Sequence, residues 1–256
     1  MNEKWIKARR LISQLLFWML ILSNSNNALA GPPFLTDDPE PVDYGHWEFY
    51  LFSTLDKNII DEKVDVNAPA LEFNYGALPN IQLHLIVPYA LSLPMAGPSN
   101  NGIGDIETGI KYRFIQETNN MPQVGIFPLF ELPTGNANRN LGNGKLWMKL
   151  PIWIQKSWES WTSYGGAGYV INPAKDMRDY PYAGWLLQKK LNEKLTLGGE
   201  VFSQEASSIN NRSFTVLNAG GFYNFTNNFS LLFSAGHSII GEQHMIAYVG
   251  LLWTRA

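Results

Sequence analysis

From Gly104 to Phe114, polar and apolar residues alternate without a fault. Asp105, Glu107, Gly109, Lys111 and Arg113 hold one parity, and Ile106, Thr108, Ile110, Tyr112 and Phe114 hold the other. A period of two is the pattern of a β-strand with one wet and one greasy face; helical spacing would spread the charges round the whole cylinder. Comparable runs occur at 46–55, 63–77, 81–91, 123–132, 145–155 and 161–170, then at 182–190, 195–202, 213–225, 229–237 and 245–254. That makes about twelve predicted strands, most of them nine to thirteen residues long. Strands that cross a membrane need about 9–11 residues, whereas strands of soluble sheets cluster near 5–6.

The connections alternate as well. Short ones at 78–80, 158–160, 192–194 and 227–228 interleave with long polar ones at 56–62, 92–102, 133–144, 171–181 and 203–212, and 238–244 precedes the last strand. Short periplasmic turns and long outer loops are the habit of outer-membrane barrels. The fold class expected is therefore all-β: a closed antiparallel transmembrane β-barrel of about 12 strands, with a soluble sandwich as the alternative. An even count brings both ends of the wall to one side. The connection 116–122 is longer than the rule asks. Trp147, Trp153, Trp158, Trp161, Tyr164, Tyr180, Tyr182 and Trp185 lie near strand ends, as do Tyr223, Phe225, Phe229 and Trp253, and they are expected to form an aromatic girdle. The last strand is expected to pair with the first, so that no edge remains.

The amino terminus changes the picture next. Lys4, Lys7, Arg9 and Arg10 precede an apolar run from Leu11 to Leu22, and Ala28-Leu29-Ala30 offers a small-x-small cleavage pattern. Residues 1–30 read as a cleaved signal peptide, because the run falls short of the roughly 20 residues of a spanning helix. Localisation in the outer membrane of a Gram-negative bacterium follows. Residues 31–45, rich in Pro and Asp, form an amino-terminal periplasmic arm or plug, and residues 46–256 form the barrel. The signal segment carries net +3; removing it from a chain of net charge −3 leaves about −6, which argues against nucleic acid as a partner. With no cysteine there is neither a disulfide framework nor a thiolate metal site.

Candidate chemistry is thin. His46, His84, His237 and His244 show no metal-ligand spacing, and neither a phosphate loop nor a Gly-x-Ser-x-Gly elbow occurs. His237 and Ser238, adjacent in a strand, point to opposite faces. Asp37-Asp38-Pro39 reads as a solvated loop before a calcium site. No enzyme, cofactor or metal is expected. The polar parity instead predicts a lumen lining, or path for solutes, of Glu48, Glu72, His84, Asp105 and Glu107. Lys111, Arg113, Glu131, Lys149 and Glu200 continue it, with Gln188 also pointing inward. Mixed signs argue against strong ion selectivity. Pro69, Pro88, Pro128 and Pro151 interrupt predicted strands; proline cannot donate to a ladder, so kinks at Pro88 and Pro128 are candidates for a lateral opening from lumen to lipid.

Pro33-Phe34-Leu35-Thr36-Asp37-Asp38-Pro39 with Gly45-His46-Trp47-Glu48 resembles the outer-membrane family named for meta-pathway phenol degradation. So do Gly102-Ile103-Gly104-Asp105, Lys111-Tyr112-Arg113-Phe114 and Leu132-Pro133-Thr134-Gly135, in the same order along the chain. The resemblance implies a monomeric barrel that passes or binds small hydrophobic, often aromatic, compounds. It is distantly similar to the long-chain fatty-acid channels, which use strand kinks for lateral release. Expected partners are outer-membrane lipid, small hydrophobic solutes and, during biogenesis, the barrel-assembly machinery. The function expected is an outer-membrane transporter or channel; a non-transporting structural or surface protein is the alternative.

Overall fold

The computed structural model describes residues 32–59, 63–94 and 98–256; the expected signal segment 1–30 lies outside them. Fourteen strand segments make one closed antiparallel wall. They are β1 (Trp47–Asn58), β2 (Val64–Leu78), β3 (Ile81–Leu93), β4 (Asn100–Ile103), β5 (Ile106–Ile115), β6 (Gln123–Ile126) and β7 (Leu129–Leu132). β8 (Trp147–Trp158), β9 (Trp161–Ile171), β10 (Tyr180–Lys190), β11 (Leu195–Gln204), β12 (Phe214–Thr226), β13 (Phe229–Gly241) and β14 (His244–Arg255) complete it. β4 and β5 are two parts of one wall strand, as are β6 and β7, so the wall has twelve strands. β14 returns to β1 in unbroken register from Trp47↔Arg255 to Asn58↔His244, which closes the barrel.

Parity sorts the side chains. Along β10, Tyr182, Gly184, Leu186 and Gln188 are buried while Pro181, Ala183, Trp185 and Leu187 are exposed. Along β5, Lys111 is buried while Ile110, Tyr112 and Phe114 are each more than 40% exposed. Apolar residues on the outside and polar ones within is the inverse of a soluble domain, and it is the arrangement that hydrocarbon demands.

Outside, near the end that carries His46 and Arg255, rings form a continuous belt: Phe73, Phe49, Trp253, Phe229, Phe225 and Tyr223 follow one another at 4.8–5.8 Å between centroids. Five residues expected in the girdle are not there. Trp153, Tyr164 and Tyr182 are buried inside, and Trp147 and Tyr180 also face inward, because each has the parity of the lumen face.

The turns keep the expected alternation with two changes. β13 runs on to Gly241, so the last outer connection shrinks from 238–244 to Glu242-Gln243. The long turn 116–122 is pinned to β8: Glu117 accepts from Lys156 Nζ at 3.1 Å and from the Ser157 amide at 2.9 Å. In the β2–β3 turn, Asn80 takes a left-handed φ of 67°, a conformation its short amide tolerates. Its Oδ1 accepts from Arg113 at 2.9 and 3.1 Å.

The strand breaks and the strand prolines Pro69, Pro88, Pro128 and Pro151 gather in one sector, while β12 and β13 carry register shifts of their own. β2 bulges at Ala68-Pro69, β3 carries the inward Pro88, and β4 breaks from β5 at Gly104-Asp105. β6 breaks from β7 at Phe127-Pro128, and β8 holds Pro151. Single bonds cross the gaps, from Gly104 N to Pro88 O at 2.9 Å and from Ile110 N to Pro128 O at 3.2 Å.

Candidate functional site

The lumen is amphipathic by sector. On β2–β8 a polar chain crosses five neighbouring strands. Asn74 Nδ2 donates to Glu72 at 2.8 Å; His84 Nδ1 lies 2.7 Å from Asn74 Oδ1, and His84 Nε2 lies 3.1 Å from Glu107 Oε1. Both ring nitrogens thus face oxygen acceptors. Glu107 and Glu131 sit directly opposite each other on β5 and β7, a pairing of like charges that would repel. Lys149 resolves it, with Nζ 2.8 Å from Glu107 and 3.7 Å from Glu131.

Two apolar clusters cover much of the remaining inner face. One joins Tyr50, Phe52, Ala70, Phe222, Leu232 and Leu252 on β1, β2 and β12–β14. The other joins Phe127, Leu129, Trp153, Val170, Tyr182 and Phe202, from the β6–β7 break round to β11. A cavity of about 730 Å³ runs between them; its lining extends from Asn227 and Arg255, at the end that carries His46, to Asp56, Gln204 and Phe214 at the other.

Residues 32–43 occupy part of that space. The arm enters beside Gly76, where a side chain would strike the Asp43 carbonyl. Gln82 accepts from the Val42 amide at 2.9 Å, and Glu40 accepts from Gln155 at 2.9 Å and Gln123 at 3.2 Å. Lys111 Nζ lies 3.0 Å from Asp37 and 3.3 Å from the fully buried Asp38. Across the lumen, Glu200 accepts from the Thr36 amide, from the Leu35 amide at 3.1 Å and from Asn218 at 2.9 Å. Ser234 donates to Pro33 O at 2.6 Å. At Gly184 a Cβ would collide with Thr36 Oγ1, so only glycine lets the arm approach that closely. Burial pushes the Asp38 carboxyl well above the usual carboxylate range; Lys111 pulls it down, while Asp37 and Glu40 push it up.

Of the residues expected on the lumen face, Glu72, His84, Glu107, Glu131 and Lys149 come together in one network. Lys111 and Glu200 instead hold the arm, and Glu48 accepts from Tyr50 Oη at 2.8 Å. Arg113 bonds Asn80 and Gln123. Asp105 departs from expectation: it accepts from the Gly135 amide at 2.8 Å and the Asn143 amide at 2.6 Å, so it anchors the loop after β7 instead of lining the cavity. Asp37 and Asp38, expected in a solvated loop, are lysine ligands inside the barrel. The inner aromatics Phe127, Trp153, Tyr182 and Phe202 went unassigned to the lumen, although parity places Trp153 with Lys149 and Tyr182 with Gln188. Ser238 is buried and its Oγ accepts from the His244 amide, while His237 points the other way.

The family model described as "Putative MetA-pathway of phenol degradation" matches residues 56–251. Among solved structures, the COG4313 outer membrane channel from Pseudomonas putida F1 superposes with a TM-score of 0.70 at 15% identity, over 85% of this chain and 98% of that one. The translocator domain of autotransporter NalP from Neisseria meningitidis gives 0.54 at 11% identity, over 98% and 97%. The NanC porin gives 0.57 at 7% identity, over 80% and 98%. At these identities the likeness is one of fold. No curated protein matches the chain.

Proposed function

The chain belongs to this phenol-degradation family, and from that premise we propose that it is a monomeric outer-membrane channel admitting small hydrophobic compounds, aromatic ones included. The observation that carries the reading is the cavity of about 730 Å³ with Phe127, Trp153, Val170, Tyr182 and Phe202 along one side. A ring moving along that side exchanges water for apolar contact at no cost in unpaired polar groups. The charged sector beside it, from Glu72 to Lys149, is already paired with itself and serves as a wall. The end that carries His46 and Arg255 is periplasmic, residues 1–30 are the export signal, and the protein is no enzyme.

Two exits suit this geometry. One passes the arm to the periplasm. The other leaves sideways through the sector with Pro88 and Pro128, where two neighbouring wall strands break and single hydrogen bonds bridge the gaps. Uptake of labelled aromatics by cells lacking the gene, with and without a plasmid copy, tests the reading; unchanged uptake together with absent conductance in planar bilayers contradicts it. The arm inside the lumen favours the second reading, a non-transporting surface or structural barrel, and that pair of null results would select it.

A further inference from the structure

Lys111 depends on the arm for its ion pairs. The residue is 4% exposed, and among the described residues both of its ion-pair partners, Asp37 and Asp38, belong to the arm. The wall acids nearby are bonded elsewhere: Glu107 to His84 and Lys149, Glu72 to Asn74, and Glu48, whose charge also acts on Lys111, to Tyr50. Were the arm to leave, the ammonium would remain in a confined space without an ion-pair partner, a costly state. The arm would also carry the acids Asp37, Asp38 and Glu40 out of the lumen, making it less negative.

The surroundings of Lys111 say what could take the arm's place. Its Nζ lies 4.9 Å from the centroid of Phe127. Phe127 packs in one cluster with Trp153, Tyr182 and Phe202, and all four line the cavity. A carboxylate on Lys111 therefore has an aromatic wall beside it, within reach of a ring attached directly to that carboxylate.

We infer that Lys111 and Phe127 form a seat for an aryl carboxylate, filled at rest by Asp37 and Asp38 of the arm. This deepens, and rests on, the channel reading above. The solute's carboxylate replaces the arm's on Lys111, its ring packs on Phe127, and the arm is displaced. A neutral aromatic supplies the ring without the counter-charge, and a small aliphatic acid supplies the charge without the ring. Neither compensates Lys111 and fills the apolar wall together.

The test uses the full mature chain carrying Leu35→Cys, the only cysteine, labelled with an environment-sensitive fluorophore that reports arm release. Sodium benzoate, benzyl alcohol and sodium acetate are titrated in parallel. Benzoate is expected to release the arm at concentrations about tenfold below either of the others, the worth of one charge-assisted contact. Phe127→Leu keeps the ion pair and should bring benzoate and acetate within about twofold of each other. Asp37→Asn/Asp38→Asn leaves the wall intact and should lower the benzoate midpoint about tenfold, because the competitor is weakened. Equal midpoints for benzoate and benzyl alcohol, or an unchanged benzoate midpoint in the double variant, would overturn the seat. Bilayer conductance separates the two claims: arm release by benzoate without conductance supports the seat and sinks the channel, whereas conductance without benzoate preference sinks the seat alone.

Discussion

Lys111 on β5 and Asp37 of the arm, 74 residues apart in sequence, meet 3.0 Å apart inside the barrel. This contact ties the segment before the first strand to the middle of the wall, and it gives the lumen an occupant made of the protein's own chain.

Lys111→Met should loosen the arm. Removing one partner of a buried pair costs on the order of 3 kcal/mol, and protonation of Asp38 takes back part of it. The arm of the folded variant is expected to be cut by proteinase K under conditions in which the wild-type arm survives. Equal protection would show that Glu200 and Gln82 hold the arm without Lys111.

Gly184→Val should have the same outcome with every charge left in place, because its side chain fills the space of Thr36 Oγ1. The barrel itself should keep its shift between boiled and unboiled samples on gels, since valine suits a strand. Loss of that shift would place Gly184 in the wall's own stability.

The inner aromatics were legible in part. Strand parity alone, read from Lys149 and Gln155, sends Trp153 inward, yet proximity to a strand end suggested the outer girdle. The twelve spans, the wet and greasy faces and the short turns were readable because a lipid-facing strand has to be apolar at every second position over its full length. The arm was readable as an arm or plug, but its docking was not. That depends on residues brought together from β3, β5, β6, β8, β11 and β13, and nothing local in Pro33–Asp43 distinguishes a solvated loop from a lumen occupant. Asp105 misled for a related reason: it keeps the wet parity, but the break after Ile103 turns it to the loop amides of Gly135 and Asn143.

Asp105→Ala should therefore free the loop 133–146 and leave the lumen network alone. Two charge-assisted bonds to backbone amides are lost, each of roughly 1.5–3 kcal/mol. Faster proteolytic nicking within the loop, with heat-modifiable migration retained, is the expected result; an unchanged nicking rate would show that Thr134 and the 3-10 turn at Ala137–Arg139 suffice.

Docking of the arm should weaken as pH rises. Asp38 has a raised pKa when docked, so the docked state binds a proton more tightly than the free arm does. The stabilisation is complete below the ordinary aspartate value of about 4 and is lost as pH climbs through the raised one. Lys111, Asp37 and Glu40 face Asp38: Lys111 pulls its carboxyl down, while Asp37 and Glu40 push it up. Arm release followed by fluorescence should increase with pH in the wild type and become flatter in Asp38→Asn; a wild-type profile that falls with pH would refute the assignment.

The most direct measurement locks the arm in place. A Cβ on Gly184 would lie 3.1 Å from Thr36 Cβ, shorter than the roughly 3.5–4.5 Å between the Cβ atoms of a disulfide, so a small outward shift of the arm brings the pair into range, and the chain has no cysteine of its own. In planar bilayers, Thr36→Cys/Gly184→Cys is expected to be closed when oxidised and to conduct when dithiothreitol is added, with the change absent from either single variant. Identical conductance in the two redox states would contradict the account that solutes cross this lumen under the control of its arm.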